Sequence, residues 1–82
     1  MSNANIRPEC LTAARNWTPP TGDEIKAVLA QAGLSGADAA ALLGLGLGGG
    51  RTVRRWTGGE TTIPYAAWAL LCHAAGLGLI WT

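Results

Sequence analysis

The sequence predicts a small all-α domain of four to five helices, and three observations carry that prediction. Apolar residues recur at intervals of three and four, as in Ile25, Val28, Leu29 and Ala32, which is the period of a helix with one buried face. Two start signals, Thr21-Gly22-Asp23-Glu24 and Ser35-Gly36-Ala37-Asp38, pair a hydroxyl cap with an acid three residues on. Glycine or proline stands where these segments should stop. At 82 residues, 49% hydrophobic and 13% charged, the chain has the length of one domain and is too apolar for disorder.

Residues 1–20 read as an N-terminal arm. Proline suits a first helical turn, so Arg7-Pro8-Glu9 predicts a short helix through about Asn16. Thr18-Pro19-Pro20 then blocks continuation, because each proline disfavours the helical conformation of the residue before it. The main domain, residues 21–82, opens with a helix from the Thr21 cap to about Ala32, where Gly33 supplies the left-handed stop. Ser35 caps a second, alanine-rich helix that runs through Leu42 and Leu43 to Gly44. Its small side chains let another helix approach closely across a short connection.

The run Leu45-Gly46-Leu47-Gly48-Gly49-Gly50 is expected to be a turn, since each glycine costs about 1 kcal/mol in a helix relative to alanine. Helical character returns over Arg51 to Trp56, with Val53 and Trp56 three apart, and Gly58-Gly59 stops it. Pro64 opens an apolar helix from Tyr65 to Ala75, closed by Gly76. The tail Leu77-Gly78-Leu79-Ile80-Trp81 follows.

No apolar run approaches the roughly 18 residues of a membrane span, and the start does not read as a signal peptide, so the expected location is the cytoplasm. Cys10 and Cys72 are expected to be buried free thiols. A net charge of +1 gives a polyanion little long-range attraction, so the position of the charges decides. Three of the six basic residues are Arg51, Arg54 and Arg55.

Arg51 and Arg55, four apart, share one helical face, while Val53 and Trp56 turn toward the core. Arginine suits bidentate contact with guanine in the major groove, each such pair giving roughly 1 to 3 kcal/mol of discrimination. Gly49 and Gly50 would let the helix start approach DNA closely and supply amides. The amides at Ser35 and Gly36, at the positive end of the second helix, suit a backbone phosphate.

Ala39-Ala40-Ala41-Leu42-Leu43-Gly44, then Arg51-Thr52-Val53-Arg54-Arg55-Trp56-Thr57-Gly58-Gly59-Glu60, then Ile63-Pro64, resembles the Cro/C1 (Xre) helix-turn-helix family over roughly Thr21 to Gly76. More narrowly, the whole chain is similar to small repressors of plasmids and mobile elements. The resemblance implies a transcriptional regulator that binds a palindromic double-stranded DNA operator as a homodimer. It implies base contacts from Gly50, Arg51, Thr52 and Arg55, with Arg54 and Thr57 nearer the backbone. The turn after Gly44 is about three residues longer than that family's usual one and rich in glycine.

Competing readings are weaker. Cys72-His73 lacks the further ligands a zinc site needs, and the lone histidine has no nucleophile motif beside it, so neither a metal, a cofactor nor catalysis is expected. The glycine run lacks the Gly-Lys-Ser/Thr of a phosphate loop, and no small-molecule ligand is expected. Leu77, Leu79, Ile80 and Trp81, with Trp68, are candidates for a symmetric dimer contact. The alternative function is a protein-interaction module that uses this apolar C-terminal surface, with the arginines merely solubilising.

Overall fold

The computed structural model describes residues 6–82. Four α-helices follow one another: α1 Gly22–Ala32, α2 Gly36–Leu42, α3 Gly49–Thr57 and α4 Tyr65–Ala74. There is no strand among the described residues. Helix α2 packs chiefly on α3, and α1 lies against both α3 and α4. Ile25, Val28, Val53, Ile63, Trp68 and Leu71 are wholly buried where the helices meet. Among the described residues, no helix is long and apolar enough to cross a membrane.

The caps form as their residue types require. The Glu24 amide donates to Thr21 Oγ1 at 3.2 Å, and the Thr21 amide to Glu24 Oε1 at 2.7 Å. At α2, the Asp38 amide donates to Ser35 Oγ at 3.0 Å and the Ser35 amide to Asp38 Oδ2 at 3.1 Å. Gly33 ends α1 at φ 71°, a left-handed conformation costly for any residue with a side chain. Gln31 Nε2 donates to the Ala75 carbonyl at 2.8 Å, tying the end of α1 to the end of α4.

Residues 6–20 do not stand apart as an arm. Ile6 and Cys10 lie in the core, and the segment makes two short 3-10 turns, Pro8–Cys10 and Ala14–Asn16, in place of one helix. A continuous helix would use its own carbonyls internally. Here α4 takes them: Trp68 Nε1 donates to the Cys10 carbonyl at 2.6 Å, and the Tyr65 hydroxyl to the Thr12 carbonyl at 2.9 Å. Trp17 meets Tyr65 edge to face, ring centroids 5.1 Å apart.

Glu24 fastens the same segment. Its buried carboxylate accepts from the Arg7 amide and Nε, both at 2.9 Å, and from Nη2 at 2.8 Å. Burial by itself would raise the Glu24 pKa. The Arg7 and Thr21 hydrogen bonds outweigh burial and hold it at about 2, against an ordinary 4.5. Both cysteines are buried free thiols, as expected. Burial and the charge of Glu24 push Cys10 up to about 11, and burial pushes Cys72 up to about 12.

Two expectations change. Helix α3 begins at Gly49, two residues before the expected Arg51, so only Leu43 to Gly48 form the connection. Both glycines occupy the first turn, but Gly49 is buried and its amide donates to the Gly46 carbonyl at 3.1 Å, so of the two only Gly50 is left to offer DNA an amide. Trp68 is wholly buried, its indole held by Cys10, and has no surface to give a partner chain. Ile80 is likewise buried in this chain's own core. Of the expected dimer residues, Leu77 is half-buried, and Leu79 and Trp81 are exposed.

Candidate nucleic-acid interface

Helix α3 is divided lengthwise. Val53 and Trp56 are buried, whereas Arg51, Arg54 and Arg55 are exposed, and none of these three arginines forms an ion pair among the described residues. Gly50, Thr52 and Thr57 are half-buried at the border between the faces, and Gly49 is buried. The Thr52 hydroxyl donates to the Gly48 carbonyl at 3.4 Å and the Thr57 hydroxyl to the Arg54 carbonyl at 3.1 Å, so both keep their lone pairs for an outside donor.

Two glycines hold the ends of this helix. A Cβ on Gly49 would lie 2.8 Å from the Cβ atoms of both Ala40 and Leu45, so α3 starts as close to α2 as backbone allows. A Cβ on Gly22 would strike the Thr57 carbonyl, which seats the last turn of α3 on the first turn of α1. The small-residue spacing of α2 pointed to the first contact. Nothing in the local sequence marked Gly22, which reads only as the second residue of a capping box.

The residues expected to meet DNA are not all alike in their surroundings. Arg51 and Arg55 share the exposed face of α3, with Arg54 beside them. From Ala39 to Gly59 the chain carries these three arginines and no acid, so the charge on α3 is wholly positive and the loop before it is neutral. At the start of α2 the structure differs from the expectation. The Ser35 amide is already taken by Asp38, whose carboxyl this hydrogen bonding lowers in pKa and keeps charged. An anion approaching there meets that carboxylate, which leaves the Gly36 amide and the Ser35 O–H as the available donors.

Sequence reasoning missed the role of Glu24, reading it only as a cap. Its place four residues before Val28, along the apolar stripe, was the available signal. It also missed the environment of Leu47, which is fully exposed in the connection between α2 and α3.

Fold and site together define a small all-helical protein that holds one basic helix against a short capped neighbour and keeps its arginines in solvent. Two transcriptional repressor proteins KorC of Escherichia coli are similar to it. One is 61% identical over 98% of this chain and 94% of its own length, the other 60% identical over 99% and 95%. The chain belongs to the KorC family of transcriptional repressors. No protein-family model and no solved structure matches it.

Proposed function

We propose that this protein represses transcription by binding a palindromic double-stranded DNA operator as a homodimer, with α2 and α3 acting as a helix-turn-helix of the Cro/C1 kind. The observation that carries the reading is the pair Arg51 and Arg55, exposed and unpaired on a helix whose opposite face is buried. Helix α3 lies in the major groove, where Arg51 and Arg55 read guanine edges and Gly50 and Thr52 border the bases. Arg54, Thr57 and Gly36 face the phosphates, with the Ser35 hydroxyl beside them. The repressor names of the two relatives support this reading and disfavour a bare interaction module.

Dimerisation uses the C-terminal surface. Leu70, Leu79 and Trp81 are exposed large apolar residues, and Leu70 and Trp81 border an apolar depression on α4 with Tyr65, Ala66 and Ala69. A small domain gains much by covering such a surface with a second copy. The two α3 helices then enter successive major grooves about 34 Å apart. Such a repressor works in the cytoplasm, where promoters are, and needs no cofactor.

Selecting bound duplexes from a random library and titrating the winner at two salt concentrations tests this. The expected result is an inverted repeat bound by two chains, with affinity falling as salt rises. No enrichment, together with binding indifferent to salt, overturns the reading.

A further inference from the structure

The connection between α2 and α3 repeats one dipeptide three times, Leu43-Gly44, Leu45-Gly46 and Leu47-Gly48. The repeat does not receive equal treatment. Leu43 and Leu45 pack against the core, whereas Leu47 stands wholly in solvent. Gly44, Gly46 and Gly48 all take left-handed φ values, 68°, 71° and 78°, and a Cβ on any of them would meet nothing within 4 Å. These glycines therefore serve the path of the chain and not its packing. That path carries a leucine away from the body of the protein two residues before α3 begins.

The surroundings of Leu47 point to one occupant. The first two residues of α3, Gly49 and Gly50, have no side chains, so Leu47 is the nearest large group on the loop side of Arg51. Leu47 and Gly50 border one shallow depression with Ala37 and Ala41, which contributes no charge and no side-chain hydrogen-bonding group. The nearest charged side chains along the chain are Asp38, held at the opposite end of α2 by its cap, and Arg51. An apolar side chain beside a polyanion-seeking helix has nothing to offer a phosphate. In the major groove the one apolar group on a base edge is the thymine 5-methyl.

We infer that Leu47 is a specificity-determining residue, making apolar contact with a thymine methyl beside the base read by Arg51. The inference rests on the reading that α3 enters the major groove. Leu47 then extends the half-site by one position beyond what α3 reads, and the long glycine connection is what brings it there.

The test measures the affinity of the natural chain and of Leu47→Ala for the selected operator and for versions in which each thymine is singly replaced by deoxyuridine, which lacks only the methyl. One thymine per half-site should cost the natural chain about fourfold on replacement, the weight of one methyl-sized burial. At that same position Leu47→Ala should show no difference, while binding the parent operator at least that much more weakly. Because Leu47 packs on nothing, the variant folds and dimerises as before. The inference is overturned if Leu47→Ala keeps the full thymine preference at every position, if it weakens all duplexes equally, or if its stoichiometry changes, which would make Leu47 a contact between copies. Failure of the natural chain to select any operator overturns the proposed function itself, and that outcome appears before the variant is measured.

Discussion

Arg7 and Arg51 are the same side chain put to opposite uses. Around Arg7 the chain closes on itself: three of its nitrogens bond the buried Glu24, and Nη2 also reaches the Pro19 carbonyl at 3.2 Å. Around Arg51, Arg54 and Arg55 the chain stays open, because no acid lies between Ala39 and Gly59. The difference teaches that an arginine's role in so small a domain is decided by where the acids are. Glu24 makes its arginine part of the fold, while the acid-free stretch leaves three guanidiniums for a partner.

The comparison predicts that stability and DNA binding can be damaged separately. The largest effect belongs to the open end. Arg51→Ala with Arg55→Ala should cost about 2 to 6 kcal/mol of operator binding, while urea unfolding should move by no more than about 0.5 kcal/mol. A comparable loss of stability would show that these side chains belong to the fold.

At the closed end, Arg7→Ala leaves the buried Glu24 carboxylate without its main partner and should lower the urea midpoint of unfolding clearly. Operator affinity of the folded fraction should be unchanged. Acid sharpens the point. Glu24 has a lower pKa in the folded chain than its ordinary 4.5, so the unfolded chain binds the proton more readily. The stability it contributes is fully present above about pH 4.5 and disappears as the pH falls toward 2. In Arg7→Ala the folded-state pKa moves back up toward the ordinary value, so this acid-dependent loss should shrink, which a series of unfolding curves would show.

Gly49→Ala attacks the separation itself. Its methyl must displace Ala40 or Leu45, costing about 1 to 3 kcal/mol of stability, and it pushes the start of α3 from its seat, so operator affinity should fall as well. If only stability falls, the position of the helix start does not matter to reading. The smallest effect is expected from Ser35→Ala, about 1 kcal/mol in unfolding for the lost cap, with a weaker and sequence-independent loss of DNA affinity.

What the sequence made legible follows the range of the interactions. Helices α1, α2 and α4 were readable because their signals are local: Thr21 with Glu24, Ser35 with Asp38, Gly33, and Pro64 before Tyr65. The exposed and buried faces of α3 were readable from the spacing of Arg51, Val53, Arg55 and Trp56. The N-terminal segment was not, because its shape is set by Tyr65 and Trp68, more than fifty residues away, through carbonyls that carry no residue identity. Trp68 was misplaced for a related reason. Helix α4 is apolar on nearly every side, so periodicity could not say which side faces inward. Gly22 and Leu47 depend on what lies opposite them in space, and no local pattern records that.

The seat of Thr57 on Gly22 bears on how such a chain can change its target. Arg51 and Arg55 are exposed and can be exchanged for other side chains without disturbing anything beneath them, so a new operator preference is open to point substitution. Gly22 has no such freedom, since any side chain there would swing the far end of α3 outward and re-aim all of its readers together. Lineages derived from this fold should therefore vary freely at the reading positions while keeping a bare backbone at residue 22, which sits nearly thirty positions before the first residue proposed to read a base.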